Sequence, residues 1–248
     1  MTSHAYDKIG IGYRAYRRPD ARIAAHILHA IGAVESILNI GAGAGSYEPS
    51  SQRVIAVEPS ATMIRQRPAG SAPCVQAVAE ALPFQDRSFD AAMAVLTVQH
   101  WSRMTDGLRE LRRVTAGRIV ILTWDPEFNE QFWLTRDYLP EILELDRARF
   151  PKLATLEQQL GPLQMERLFI PGDCTDGFRS AYWKRPQAYL DRQVQRSISS
   201  FAQLDAEVVE RATSKLAEDL ASGEWARRNR ELESCDALDV GYRILISS

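Results

Sequence analysis

The sequence predicts an α/β fold in which seven mostly parallel strands form one doubly wound sheet, with a helical cap inserted between the last two strands. Short apolar runs alternate with amphipathic segments over the first half of the chain. These runs are nearly continuous, which is typical of parallel strands that helices bury on both faces. After Trp124 the pattern becomes more charged and mostly helical, and this change predicts the cap.

Each predicted strand is a short apolar run bounded by polar or turn-forming residues. In chain order the runs are 37–40, 54–57, 74–77, 91–96, 118–123, 164–170 and 241–246. The predicted helices carry apolar residues at intervals of three and four, as Leu108, Leu111 and Val114 do. They cover 20–31, 60–66, 104–114, 128–145, 153–160, 186–199, 205–220 and 224–235.

Composition and charge exclude several classes of protein. The 248 residues include 30 Lys and Arg against 32 Asp and Glu, so the net charge of -2 gives no general attraction to nucleic acid. The longest apolar runs, such as 91–96, are far shorter than the roughly 20 residues of a membrane span. Three dispersed cysteines and four scattered histidines form no metal-binding pattern. We therefore expect a cytoplasmic protein without metal, membrane or nucleic-acid partners, and the sequence leaves its oligomeric state open.

A glycine cluster follows the first predicted strand. Gly41, Gly43 and Gly45 lie at the carboxyl end of that strand, where open α/β sheets bind ligands. Glycine permits a tight turn and lets a ligand approach the backbone closely. At the end of the second strand, the carboxylate of Glu58 can accept hydrogen bonds from both hydroxyls of a ribose. The glycine spacing is G-x-G-x-G rather than the G-x-G-x-x-G of nicotinamide-dinucleotide sites, which disfavours a nicotinamide dehydrogenase.

Four segments of the first half resemble the class I S-adenosylmethionine-dependent methyltransferases, specifically the small-molecule group known as methyltransferase type 11. They are Y-D-K-I-G at 6–10 with Tyr13, the glycine loop at 38–45, V-E-P-S at 57–60, and A-E-A-L-P-F at 79–84 with Asp86, Ser88, Phe89 and Asp90. The resemblance implies a Rossmann-like fold and S-adenosyl-L-methionine as cofactor. Together with the pattern along the chain, it predicts one domain over 1–248, with a cofactor-binding core at 1–125 and cap segments at 125–150 and 172–236.

The resemblance also implies which residues bind the cofactor. The N-terminal segment with Tyr13 would cover it, Met63 would flank adenine, and Arg18 would meet the cofactor carboxylate through a charge-assisted pair. For Arg18 the alternative is a solvated surface side chain. The full set is Tyr13, Arg18, Gly41, Ala42, Gly43, Gly45, Glu58, Pro59, Met63, Ala79, Glu80 and Leu96.

Two positions depart from the family pattern. Asn39 stands where the family usually has an acidic residue that helps to orient the methionine ammonium group. Asn still accepts a hydrogen bond but carries no charge, so a lower cofactor affinity is expected. Val78 stands where an Asp often reads the adenine amino group, which leaves adenine to apolar packing and backbone groups. The segment 46–53 is also short, so any helix there must be very short.

Candidate acceptor-site residues follow the fourth predicted strand and lie in the cap. His100 is the candidate general base for an oxygen or nitrogen nucleophile, because the ordinary pKa of histidine lies near working pH. A helix-capping role for His100 is the alternative. The candidate substrate-binding residues are Trp101, Trp124, Trp133, Tyr182 and Trp183. The aromatic side chains of the cap either line an apolar pocket that excludes water or form the core of the cap.

These observations predict methyl transfer from S-adenosylmethionine to a small organic acceptor under the helical cap. The acceptor atom is an oxygen, nitrogen or carbon, and the sequence does not decide which. Positioning the nucleophile in a desolvated pocket does most of the catalytic work, because the sulfonium is already activated. Two alternatives stay open: a non-catalytic or regulatory S-adenosylmethionine-binding protein, and an RNA-modifying methyltransferase, which requires a basic face.

Overall fold

Seven strands form one sheet in the computed structural model, which describes residues 16–128 and 132–247. The strands are β1 (Ser36–Ile40), β2 (Arg53–Val57), β3 (Cys74–Val75), β4 (Phe89–Val95), β5 (Thr115–Trp124), β6 (Leu163–Pro171) and β7 (Ala237–Ser247). Their order across the sheet is β3-β2-β1-β4-β5-β7-β6. The first five strands run parallel, and β7 is antiparallel to both of its neighbours. The predicted seven-stranded, mostly parallel sheet is confirmed.

Helices cover both faces of this sheet. In the described residues they are α1 (Ala21–Ile31), α2 (Ala61–Arg65), α3 (Met104–Val114), α4 (Trp133–Asp137), α5 (Glu141–Arg149), α6 (Leu153–Leu160), α7 (Arg192–Ser197), α8 (Ala206–Ala221) and α9 (Glu224–Arg228). Side chains alternate between the faces of a strand. Ile37 of β1 therefore packs in the same apolar cluster as Ile27 of α1, whereas Leu38 joins the cluster of Leu111 of α3.

Three helices predicted in the cap are shorter than expected, and the one predicted at 224–235 ends as an α-helix at Arg228. The segment predicted as one helix from 128 to 145 contains α4 and α5, separated at Pro140. Proline lacks the N–H group that a helix interior requires, so it starts a helix rather than continuing one. The segment 186–199 is likewise divided, because the side chain of Asp191 accepts a hydrogen bond from the Gln193 N–H and begins α7. Within the described residues no helix has both the length and the apolarity needed to cross a membrane.

The start of α1 is connected to the loop at 173–177 through Asp20. The buried Asp20 carboxylate caps α1 by accepting from the Arg22 N–H at 3.0 Å. It also accepts from the N–H of Thr175 at 3.1 Å. Hydrogen bonds from the Arg22 side chain hold the pKa of Asp20 well below its usual range. Asp20 therefore links the core of the sheet to the predicted cap.

Replacing Asp20 with alanine is expected to lower the free energy of unfolding by about 2–3 kcal/mol, because a helix cap and a buried acceptor are both lost. The native pKa is depressed, so the carboxylate stabilises the fold above the pKa of an unfolded Asp, about 3.9. That stabilisation is lost as the pH falls below this value. Urea denaturation at pH 7 and pH 3 should therefore show a smaller difference between wild type and D20A at pH 3.

Asp173 offers a matched control on the same loop. Its side chain is 82% exposed and pairs with Arg22 at 2.7 Å. Exposed ion pairs contribute little, so D173A should change the free energy of unfolding by no more than about 1 kcal/mol. Equal effects of the two substitutions would contradict the structural role of Asp20.

Candidate active site

A cavity of about 1130 Å³, partly open to solvent, lies at the carboxyl ends of β1, β2 and β4. Parallel sheets bind ligands at this edge. Gly41 follows β1, Glu58 follows β2 and Thr97 follows β4, and all three line the cavity. We call it the first cavity. Among its lining residues are nine of those predicted to bind the cofactor: Gly41, Ala42, Gly43, Glu58, Pro59, Met63, Ala79, Glu80 and Leu96.

The glycine loop has a backbone that only glycine adopts without strain. Gly41 has φ +66° and Gly43 has φ +52°, both in the left-handed region. A Cβ atom on Gly41 would lie 1.9 Å from the Oγ1 atom of Thr97. The loop therefore packs directly against the segment after β4, which brings the ends of two strands together.

Glu58 is the buried carboxylate of the first cavity. Its side chain accepts hydrogen bonds from the N–H of Gly43 at 2.9 Å and from the N–H of Ser60 at 2.9 Å. The two bonds hold the glycine loop and the start of α2 in a fixed relation. The carboxylate is thereby fixed at the edge of the first cavity, which it lines.

Asn39 lies in a network with Glu48 and Arg67. The Nδ2 atom of Asn39 donates to Oε1 of Glu48 at 3.1 Å, and the Nη2 atom of Arg67 lies 2.8 Å from Oε2 of Glu48. Because Nδ2 is engaged, Oδ1 is the acceptor that Asn39 offers to the cavity it lines. The structure thus places a carboxylate next to the neutral Asn39, with its charge balanced by Arg67.

The loop at 79–80 is held to the segment after β4. Glu80 accepts from the hydroxyl of Ser102 at 2.9 Å and from the N–H of Arg103 at 3.0 Å. Burial raises the pKa of Glu80, but these hydrogen bonds outweigh it and the pKa lies below its usual value. Trp101 also lines the cavity and lies against Gly107 of α3, where a Cβ atom would be 2.6 Å from its ring.

A second cavity, of about 630 Å³, adjoins the first. Arg17, Leu96 and His100 line both cavities, so they form the wall between them. The other lining residues are Gln99 of the 3-10 helix Val98–His100, Tyr242 of β7, and residues of both predicted cap segments: Asp146, Arg149, Phe150, Phe178, Arg179, Ser197, Ile198, Ser199 and Ser200. Three of these are aromatic and three are hydroxyl-bearing serines.

His100 ends the short 3-10 helix Val98–His100, directly after Leu96 and Thr97. Leu96 has φ +51°, an uncommon backbone conformation for a residue with a side chain. Burial lowers the pKa of His100, and the positive charges of Arg149 and Arg17 lower it further, to about 3. The imidazole is therefore uncharged at neutral pH.

Three predicted cofactor-binding residues are not among those that line the first cavity. Arg18 is exposed and lies outside it, while the neighbouring Arg17 lines it and forms an ion pair of 2.6 Å with the buried Asp176. Gly45 lies beside the Arg67 guanidinium. Tyr13 lies outside the described residues. The R-R pair at 17–18 indicates an arginine at the first cavity, but only the packing of the folded chain shows that it is Arg17 and not Arg18.

Four of the predicted substrate-binding residues lie in the hydrophobic core: Trp124, Trp133, Tyr182 and Trp183. None of them is among the residues that line the two cavities. Each indole N–H donates to a backbone carbonyl, as Trp133 does to Trp183 at 2.9 Å and Trp183 does to Ile170 at 2.8 Å. A satisfied donor lets tryptophan pack in a core. Sequence reasoning did not select Arg149, Arg179 or Tyr242, because an isolated residue in a charged or apolar segment carries no distinguishing signal.

Comparisons with known proteins agree with this geometry. Residues 38–121 match a family model described as a methyltransferase domain, of the type 11 group. The chain resembles the crystal structure of a protein assigned as a methyltransferase of an antibiotic biosynthesis pathway in Anabaena variabilis ATCC 29413. The identity is 32%, the TM-score is 0.87, and the match covers 94% of this chain and 99% of that chain.

More distant similarities include an uncharacterized bacterial protein and a solved methyltransferase structure. An uncharacterized protein of Mycobacterium tuberculosis (strain ATCC 25618 / H37Rv) is 25% identical over 77% of this chain and 79% of its own length. A geranyl diphosphate C-methyltransferase from Streptomyces coelicolor A3(2), in complex with Mg²⁺, geranyl diphosphate and S-adenosyl-L-homocysteine, shares the fold. It has 12% identity and a TM-score of 0.52, covering 92% of this chain and 77% of that chain.

The residues of the first cavity fit the cofactor of this family. The Gly41 backbone has no room for a Cβ atom, and the buried Glu58 is fixed at the end of β2. Met63 and Val78 supply apolar surface for a flat ring, and Val78 is 44% exposed there. The chain therefore belongs to the class I S-adenosylmethionine-dependent methyltransferases of the type 11 group, and S-adenosyl-L-methionine is its cofactor.

Proposed function

We propose that the chain transfers a methyl group from S-adenosylmethionine in the first cavity to a small organic acceptor in the second. The observation that carries this proposal is the common wall of the two cavities, formed by Arg17, Leu96 and His100. A ligand in each cavity would meet the other at this wall. Aromatic and hydroxyl-bearing side chains line the second cavity, as in sites for small organic molecules.

The residues of the first cavity would bind and orient the cofactor. Glu58 would accept hydrogen bonds from the ribose hydroxyls, Met63 and Val78 would pack against the adenine ring, and Asn39 would accept from the methionine ammonium group. When bound, S-adenosylmethionine supplies an activated methyl group on its sulfonium. The aromatic walls of the second cavity would exclude water from the acceptor.

His100 would act as the general base for an acceptor that loses a proton. It lies in the wall between the cavities, and its imidazole is uncharged. A pKa near 3 makes a weak base, so this role requires that the bound acceptor raise the pKa of His100 towards the working pH. General-base catalysis typically contributes about 10²–10⁴-fold. We therefore expect H100Q to lower kcat by about 100-fold or more, while the affinity for S-adenosylhomocysteine stays unchanged.

The measurement combines calorimetry with a transfer assay. A panel of small alcohols, phenols, amines and carboxylic acids is incubated with isotopically labelled S-adenosylmethionine, and kcat is measured for the acceptors that become labelled. H26Q, on the exposed face of α1, serves as the matched control and should retain the kcat of the wild type. An H100Q variant with wild-type kcat would contradict the base assignment, and cofactor binding without labelling of any acceptor class would favour a regulatory binder.

A further inference from the structure

We infer that Glu48 is a positioning residue of the cofactor site, which fixes the side-chain amide of Asn39 with its oxygen turned toward the methionine ammonium group. This inference rests on the proposed function, in which Asn39 accepts from that ammonium group. Asn39 lines the first cavity, whereas Glu48 is not among the lining residues. Glu48 would therefore act through Asn39 and not by touching the cofactor.

The backbone of Asn39 is fixed by strands on both sides. Asn39 lies in β1 and pairs with Ala56 of β2 and with Met93 of β4. The residue is buried. Its side-chain amide carries an acceptor oxygen and a donor NH₂ group on one plane, and a half-turn of the amide exchanges the two. The groups around the amide therefore decide which of the two atoms Asn39 presents to the cavity.

Glu48 has a fixed position beside Asn39. Both of its carboxylate oxygens accept from Nη2 of Arg67, at 2.9 and 2.8 Å, and Oε2 also accepts from the N–H of Ala72 at 3.3 Å. Nη2 of Arg67 donates in addition to the carbonyl of Ala72 at 2.9 Å, which connects the ion pair to the backbone. The side chains of Glu48 and Arg67 are only 8% and 4% exposed, so solvent screens this pair little.

The carboxylate of Glu48 allows one orientation of the Asn39 amide. An ionised carboxylate accepts hydrogen bonds and donates none, and Nδ2 of Asn39 donates to Oε1 of Glu48 at 3.1 Å. In the flipped orientation, Oδ1 would face the carboxylate and Nδ2 would face the ammonium group, so both contacts would be repulsive. The hydrogen bond to the carboxylate also polarises the amide, which makes Oδ1 a stronger acceptor.

This arrangement gives a physical meaning to the neutral residue at position 39. Where the family usually has an acidic side chain, this chain has an amide bonded to a carboxylate nine residues later. An aspartate at position 39 would place a carboxylate oxygen where Nδ2 now lies, 3.1 Å from Oε1 of Glu48. Two like charges so close together in a buried place repel each other. The amide at 39 and the carboxylate at 48 thus form one unit, in which N39D alone is unfavourable.

Two ligands that differ only in the amino group test the positioning role. They are S-adenosylhomocysteine and its deamino analogue, in which a hydrogen atom replaces the amino group. In E48Q the side chain at 48 can donate as well as accept, so it no longer fixes the orientation of Asn39. Calorimetry should show that E48Q weakens the binding of S-adenosylhomocysteine about tenfold or more, and that of the deamino analogue less than about threefold. E35Q, exposed and before β1, should bind both ligands as the wild type does.

Exchange of the two side chains supplies a second test. N39D alone sets two carboxylates against each other, so it should weaken the binding of S-adenosylhomocysteine at least about tenfold and lower Tm. In N39D/E48Q the amide at 48 can donate to the carboxylate at 39 while its oxygen still accepts from Arg67. The double variant should therefore recover the affinity for S-adenosylhomocysteine to within about threefold of the wild type.

The outcomes separate this inference from the proposed function. Failure of the wild type to bind S-adenosylhomocysteine would overturn the proposed function itself. Equal losses for the two ligands in E48Q would show a purely structural role for Glu48 and would overturn only the inference. N39D that binds S-adenosylhomocysteine as tightly as the wild type, or N39D/E48Q that binds it no better than N39D, would also overturn it. Where E48Q does not fold, the comparison of N39D with N39D/E48Q decides.

Discussion

Replacement of Glu58 by glutamine is expected to weaken the binding of S-adenosylmethionine and S-adenosylhomocysteine by about 100-fold or more. Glu58 is buried and accepts from the N–H groups of Gly43 and Ser60 with different oxygens. The glutamine side chain has only one oxygen, so its NH₂ group would point at one of these two N–H groups and one hydrogen bond would be lost. The negative charge that would accept hydrogen bonds from the ribose hydroxyls would also be lost. Hydrogen bonds to a charged group contribute about 1.5–3 kcal/mol each, and more than one is affected.

Calorimetric titration measures this effect directly. Glu35 is a suitable control because it is exposed and precedes β1, at the opposite end of that strand from the glycine loop. E35Q should bind both ligands as the wild type does. A change of less than about threefold in E58Q, in a protein with the wild-type Tm, would contradict the assignment of Glu58 to the ribose.

Replacement of Gly41 by alanine is expected to abolish cofactor binding and to destabilise the fold. The backbone of Gly41, at φ +66°, costs a residue with a Cβ atom about 1–2 kcal/mol. In addition, the new atom would lie 1.9 Å from Oγ1 of Thr97 and 2.7 Å from its Cβ, so one of the two strand ends must move. Such a movement displaces the loop that would hold the cofactor.

A substitution at Gly70 distinguishes the cost of backbone strain from the cost of the clash with Thr97. It has φ +84°, yet a Cβ atom there would meet nothing within 4 Å. G70A should therefore lower Tm by only about 2–4 °C for each kcal/mol of backbone strain, and it should retain cofactor binding. G41A should lower Tm at least about twice as much and bind no S-adenosylhomocysteine in calorimetry. Equal Tm values for G41A and G70A would show that the Thr97 side chain moves away from the new Cβ atom without a loss of stability.

Much of the fold and of the cofactor site was predictable because their signals are local. A strand buried on both faces needs a continuous apolar run, as in Ile37–Leu38 of β1, whatever the rest of the chain does. Gly41 and Glu58 directly follow such runs, and the carboxyl ends of parallel strands meet at one edge of a sheet. The sequence therefore predicts that the glycine loop and the carboxylate lie side by side. The predicted helix at 128–145 is wrong at Pro140, where proline ends one segment and α5 begins.

The second cavity depends on residues that are distant in the chain and carry no local pattern. Arg17, Arg149, Arg179 and Tyr242 meet there because α5, the cap loops and β7 pack at the same end of the sheet. The same packing decides that Arg17 rather than Arg18 faces the cavities.

The tryptophans also show that residue type alone does not place a side chain in a binding site. A tryptophan side chain suits a binding pocket and a hydrophobic core equally well. The backbone carbonyls that accept from Trp133 and Trp183 belong to residues 50 and 13 positions away along the chain. Residue type and order thus determine the sheet, the glycine loop and the cofactor class, because each depends on neighbours in sequence. The second cavity depends on contacts between segments that meet only when the chain is folded.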